Sequence, residues 1–206
     1  MSIDYSLYLV TDRGILGSRD LYKAVEDSIR GGTTLVQLRE KDISSLDFYN
    51  IALKLKELVH YYNVPLIIND RLDIALAVDA DGLHIGQEDI PIEAVRNLLP
   101  GKILGYSVSN VQEAIYGQNC GADYLGAGAV YATGSKADAG TPIGLEMLEA
   151  VKKSVTIPVV GIGGIGLSNI EEVKRTGIDG VSIISAILGS SDIEGTSHNL
   201  INLWRK

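Results

Sequence analysis

Residues 34–68 read TLVQLREKDISSLDFYNIALKLKELVHYYNVPLII, and the apolar pattern within them changes period twice. Thr34–Leu38 is a short apolar run of the kind that makes a buried strand. Phe48, Ile51, Ala52, Leu55, Leu58 and Val59 then recur at three- and four-residue steps, with Lys54, Lys56 and Glu57 on the other face. That spacing predicts an amphipathic helix, with Ser45 expected to cap it. Val64-Pro65 ends the connection, because the residue before a proline is driven out of helical backbone. Leu66–Ile68 then resumes the strand pattern. Strand, helix, strand, with both strand faces apolar, means parallel strands covered on both sides.

The same alternation runs through all 206 residues. Strands are predicted near Ser6–Val10, Thr34–Leu38, Leu66–Ile68, Gly82–Ile85, Ile103–Tyr106, Tyr124–Ala127, Val159–Ile162 and Gly180–Ile184. A second clear helix is expected from Leu145 to Lys153, closed by Ile157-Pro158. Eight β/α units of about 26 residues suit a (β/α)8 TIM barrel at the short end of its size range. No linker or low-complexity stretch divides the chain, so residues 1–206 read as one barrel domain. A doubly wound open sheet is the alternative with the same alternation.

Composition narrows the partners. Eighteen Lys and Arg against 26 Asp and Glu give a formal net charge of −8. That excludes a broad basic face, so neither nucleic acid nor an anionic membrane is expected as a partner. A small phosphorylated ligand needs only a few local cations. The single cysteine, Cys120, leaves no internal disulfide and no multi-cysteine metal site, and fits a reducing cytoplasm; it reads as buried and inert. Met1-Ser2-Ile3-Asp4 lacks a signal-peptide pattern, and no apolar run approaches the roughly 18 residues of a membrane span. Glycine is in excess, 23 of 206 residues against an average of about 7%.

In a barrel of this kind, functional side chains sit at the carboxyl ends of the strands and in the loops that follow. After the second strand comes Gln37-Leu38-Arg39-Glu40-Lys41. Strand period puts Gln37, Arg39 and Lys41 on one side, a set suited to a diphosphate, although a solvated surface turn reads equally well. Asn69-Asp70-Arg71 follows the third strand and Gly86-Gln87-Glu88-Asp89 the fourth. Asp70 and Asp89 at adjacent strand ends can share a hard cation such as Mg²⁺. Taken singly, Asp70 reads as a helix cap and Asp89 as a turn residue, and Glu88 can replace Asp89 on spacing alone. His84, inside a strand, reads as a hydrogen-bonded core histidine, and His60 and His198 as structural. No nucleophile–His–acid set emerges from local spacing. Thr133-Gly134-Ser135-Lys136 brings two hydroxyls and an ammonium into a long loop. Gly163-Gly164-Ile165 and Ile184-Ser185 follow the last two strands, where glycine amides and helix starts favour a phosphate.

Taken in order, Tyr8–Asp12, Gln37–Lys41, Asn69-Asp70, Gly86–Asp89, Gly105–Ser107, Thr133–Lys136, Gly161–Ile165 and Ile184-Ser185 resemble the thiamine phosphate synthase (thiamine-phosphate pyrophosphorylase) family across nearly the whole chain. The resemblance implies a transferase that joins a pyrimidine diphosphate to a thiazole phosphate and releases pyrophosphate by a dissociative, carbocation route. It implies that Gln37, Arg39, Lys41, Asn69, Ser107 and Lys136 contact the pyrimidine diphosphate, with Arg39, Lys41 and Lys136 as the catalytic cations. Asp70 and Asp89 would hold Mg²⁺, and Thr133, Ser135, Gly164, Ile184 and Ser185 would contact the thiazole phosphate. The sixth loop departs from the family pattern, with Ala129 and Ala132 where proline is usual and Ser135 where threonine is usual. A thiazole tautomerase-like barrel or a non-catalytic phosphate-binding barrel are the rival readings; the first should lack the Gln-x-Arg-x-Lys and paired-Asp features, and the second has no need of two metal carboxylates alongside Lys136. Oligomeric state is not written in the residues, and a homo-oligomer is compatible with them.

Overall fold

Eight short parallel strands pair in chain order, and the eighth returns to the first to close a barrel. The computed structural model describes residues 3–134 and 141–206. The strands are β1 (Leu7–Val10), β2 (Leu35–Leu38), β3 (Leu66–Asn69), β4 (Gly82–Ile85), β5 (Ile103–Val108), β6 (Tyr124–Gly128), β7 (Val159–Ile162) and β8 (Gly180–Ile183). All eight predicted strands are present, and the closed order replaces the open-sheet alternative. Closure runs through Leu7↔Val181, Tyr8↔Ser182 and Leu9↔Ile183.

The outer layer is α1 (Arg13–Leu16), α2 (Leu21–Arg30), α3 (Ser45–Tyr61), α4 (Leu72–Ala77), α5 (Ile92–Leu98), α6 (Val111–Asn119), α7 (Gly144–Ser154), α8 (Ile170–Lys174), α9 (Ser185–Leu188) and α10 (Ile193–Arg205). The expected cap of α3 moves by one residue: Ser44, in extended backbone, accepts a hydrogen bond from the Asp47 amide, and Ser45 is already helical. α7 covers the predicted Leu145–Lys153 helix and extends it by one residue at each end.

Period two explains the layering. Leu7, Leu9, Val36, Leu38, Leu66, Ile68, Leu83 and Leu104 belong to the shell packed under the helices. The alternate positions Tyr8, Val10, Leu35, Ile67, Tyr124 and Val160 form a second, separate cluster inside the barrel. The interior is filled toward the amino ends of the strands and opens into a cavity toward their carboxyl ends. Among the described residues, no helix is long and apolar enough to cross a membrane.

Candidate active site

The cavity at the carboxyl ends of the strands has a volume of about 490 Å³, within the range of small-molecule sites. Gln37, Arg39, Lys41, Asn69, Asp70, Asp89, Ser107, Thr133, Gly164, Ile184 and Ser185 all line it. Every site residue predicted within the described chain therefore reaches one space, from segments far apart in sequence. Ser135 and Lys136 lie outside the described residues.

On the β2 side, Gln37 points inward and is buried, and Arg39 follows the strand end. Arg39 is not a solvated turn residue. Its Nη1 donates to Asp12 Oδ2 at 2.9 Å, and its backbone amide donates to Thr11 Oγ1, also at 2.9 Å. Asp12 meanwhile caps α1 by accepting from the Ile15 amide through Oδ1. One carboxylate thus fixes both a helix start and the guanidinium, and this role of Asp12 had no local signal in the sequence. Glu40, on the opposite side of the chain, pairs with Arg13 at 2.7 Å. Lys41 is exposed on the rim.

On the β3–β4 side, Asp70 does not cap the next helix. The capping position is Arg71, which makes no side-chain cap bond. Asp70 adopts a left-handed backbone, φ 60°, immediately after β3, and lines the cavity. Asp89 keeps part of its turn role, since Oδ2 accepts from the Gly86 amide at 2.7 Å, yet it faces the same space. Glu88 also lines the cavity and is exposed, whereas Asp89 is half-buried and held by that turn. Among the described residues, no group of three or more His, Cys, Asp or Glu side chains is arranged to hold a metal.

Across the barrel, Gly163 and Gly164 have φ of 98° and 67°. Side chains there would also collide with Ala129 and Tyr131, so only glycine lets this loop pass beneath the sixth one. Ile184 and the exposed Ser185, at the start of α9, complete that rim.

The floor holds what local spacing did not bring together. His84 Nε2 lies 2.9 Å from Ser107 Oγ and His84 Nδ1 lies 2.8 Å from Tyr124 Oη. Tyr124 Oη lies 2.8 Å from Tyr8 Oη, and Gln37 Nε2 donates to Tyr8 Oη at 2.6 Å. Burial pushes the ionisation of both tyrosines upward, so both phenols keep their protons. Ser182 Oγ, buried at the same level, has no hydrogen-bond partner among the described residues. The histidine expectation holds for His84, which is buried and hydrogen-bonded, and His60 pairs with Asp81 at 2.7 Å. His198 lies on the exposed face of α10. Cys120 is half-exposed rather than buried, because it ends α6. Partial burial and the neighbouring Glu93 carboxylate raise its thiol, the direction opposite to that of an activated cysteine.

Comparison with known proteins decides the lineage of this site. The profile described as thiamine monophosphate synthase matches residues 7–187. The chain belongs to the thiamine monophosphate synthase family. A thiamine-phosphate synthase of Desulfitobacterium hafniense is 56% identical over 206 residues, covering 100% of both chains. One from Clostridium novyi is 54% identical over 204 residues, covering 98% of this chain and 100% of the relative. The solved thiamine phosphate pyrophosphorylase from Pyrococcus furiosus superposes with a TM-score of 0.91 at 39% identity, covering 98% and 96% of the two chains. A 3-hexulose-6-phosphate synthase matches at 14% identity with a TM-score of 0.71, a likeness of fold alone. The protein is accordingly a transferase of thiamine biosynthesis with thiamine-phosphate synthase activity.

Proposed function

We propose that this barrel transfers the 4-amino-2-methylpyrimidin-5-ylmethyl group from its diphosphate to a thiazole phosphate, giving thiamine phosphate and pyrophosphate. The observation that carries the reading is one cavity with two polar rims of different make-up. Arg39 and Lys41 stand with Asp70 and Asp89 on the β2–β4 side, and Gly164, Ile184 and Ser185 on the β7–β8 side. In this reading the first rim receives the diphosphate, and Gln37, Asn69 and Ser107 below it receive the pyrimidine ring. The second rim, with Thr133, receives the thiazole phosphate. Ser135 and Lys136 join the two halves on family resemblance alone.

The donor set fits Mg²⁺. That ion takes oxygen ligands from one or two carboxylates together with phosphates and water, and two carboxylates from adjacent strand ends face the cavity. Asp70 and Asp89 would hold it, and when bound it supplies positive charge against the diphosphate oxygens. Arg39, steadied on one edge by Asp12, offers its remaining N–H groups, and Lys41 adds a mobile point charge. As the methylene C–O bond breaks, its electron pair leaves with the diphosphate, and these two cations stabilise the growing charge. The thiazole nitrogen then donates its lone pair to the pyrimidinylmethyl cation, closing the new C–N bond. This route needs no nucleophile or strong base from the protein. The lone cysteine supports a cytoplasmic setting.

Purified protein given both halves and Mg²⁺ is expected to form thiamine phosphate and pyrophosphate in equal amounts; no product would sink the reading. Asp70→Asn is expected to lower kcat on the order of 100-fold while the circular dichroism spectrum stays unchanged. Arg39→Ala is expected to raise KM for the pyrimidine diphosphate much more than KM for the thiazole phosphate. Equal increases would mean that the two halves are placed on the wrong rims.

A further inference from the structure

Five side chains from five strands form one hydrogen-bonded chain across the barrel: Gln37 on β2, Tyr8 on β1, Tyr124 on β6, His84 on β4 and Ser107 on β5. All five line the cavity, with Gln37 and Ser107 at the two ends of the chain. The three middle groups are buried, with Tyr8 at 2%, Tyr124 at 0% and His84 at 9% exposure. The barrel makes room for them. A side chain at Gly105 would overlap His84 Nδ1 and the Tyr124 phenol, and a Cβ at Gly126 would lie 2.9 Å from His84 Cε1. Part of the glycine excess therefore serves this ring pair rather than a phosphate.

With the Gln37 amide nitrogen as the donor at one end, a single polarity gives every proton of the chain an acceptor. Gln37 donates from Nε2, so Tyr8 Oη accepts there and sends its own proton to Tyr124 Oη. Tyr124 has accepted and sends its proton to His84 Nδ1. An Nδ1 that accepts carries no proton, so the neutral imidazole carries it on Nε2 and donates to Ser107 Oγ. Ser107 then has its own proton to give to the cavity, and Gln37 has Oε1 to accept there. The Ser107–His84 pair has the distance of a serine–histidine nucleophile and base, with the opposite polarity. In a hydrolytic triad Nδ1 donates to a carboxylate and Nε2 accepts from serine; in the polarity counted above Nδ1 accepts from a phenol and Nε2 donates.

We infer that Tyr8, Tyr124 and His84 are positioning residues that fix Ser107 as a hydrogen-bond donor and Gln37 Oε1 as an acceptor, the pair complementary to a ring nitrogen beside an exocyclic amine. The inference rests on the placement of the aminopyrimidine over Gln37 and Ser107 proposed above. It makes the buried chain a specificity device: a ring whose amine is replaced by a carbonyl presents the wrong polarity to Gln37 and is rejected.

The test begins without substrate. Two-bond ¹H–¹⁵N spectra of the histidine-labelled full chain are expected to show His84 as the neutral Nε2–H tautomer, its signals assigned by their loss in His84→Gln. Tyr124→Phe keeps the ring and removes one proton, and is expected to mix the tautomers. The same variant is expected to raise KM for the pyrimidine diphosphate about tenfold, as for one lost hydrogen bond, with KM for the thiazole phosphate within about twofold. An Nδ1–H tautomer in the parent protein overturns the inference, as does a tautomer that Tyr124→Phe leaves unchanged. Should Ser107→Ala raise KM for the pyrimidine diphosphate while Tyr124→Phe does not, the positioning role fails and the site reading stands. Should Ser107→Ala and Gln37→Ala both leave that KM unchanged, the placement of the pyrimidine fails, and the inference with it.

Discussion

Tyr8 and Tyr124 place two phenol groups inside the barrel, where burial raises their ionisation well above the ordinary value near 10. In the unfolded chain both ionise near that ordinary value. Their raised folded values thus contribute stability that is fully present below about pH 10 and is lost as pH rises through the folded values. The urea midpoint is expected to fall steeply above pH 10, with phenolate absorbance from these two residues appearing only as the chain unfolds. Tyr124→Phe is expected to start from a lower midpoint at neutral pH and to fall less steeply. Identical slopes would show that these phenols do not govern the alkaline limit. At this scale the inward positions of Tyr8, Gln37 and Tyr124 follow from strand alternation. Their mutual contacts do not, because Tyr8 and Tyr124 are 116 residues apart. Asp12 shows the same limit: its carboxylate caps α1 within its own segment, and only the approach of β2 gives it Arg39 as a second partner.

At the scale of elements, type and order were legible and ends were not. Two serines stand side by side where α3 begins, and apolar periodicity is equally consistent with either as the cap. The choice depends on which residue leaves helical backbone, and Ser44 does, with ψ near 155°. Ser44→Ala is expected to cost about 1 kcal/mol in urea denaturation. Ser45→Ala is expected to stay within about 0.5 kcal/mol, because its hydroxyl meets only an exposed Arg71 nitrogen. The reverse ranking would return the cap to Ser45. The reading of Asp70 as a cap, the alternative to its reading as a metal ligand, gives way for a related reason, since Arg71 takes the capping position. The chain turns through a left-handed conformation at Asp70, which aims the residue into the cavity instead of along α4.

At the scale of the whole molecule, the barrel depends on its seam. β8 must lie close enough to the chain entering β1 that a Cβ on Gly180 would overlap the Tyr5 carbonyl oxygen. Gly180→Ala is expected to cost about 3 kcal/mol by urea denaturation, since backbone on both sides of the seam has to move. Gly134→Ala, where a Cβ meets no atom of the described residues within 4 Å, is expected to stay within about 0.5 kcal/mol. Similar losses for both would mean that the seam tolerates a side chain. What the sequence determined by itself is the set of eight units, their parallel sense and the inward alternation, because these rest on periodicities of two and 3.6 residues that neighbouring positions express. The polar strand ends, and the family resemblance they carry, were also legible because they are short motifs in chain order. Only the tertiary structure decided that Arg39 is held by Asp12, that Asp70 lines the cavity while Arg71 takes the capping position, and that Gln37, Tyr8, Tyr124, His84 and Ser107 share one line of hydrogen bonds. Those are contacts between strands that meet only when the barrel closes, and hydrogen-bond polarity is a property of the assembled chain of groups, not of any residue within it.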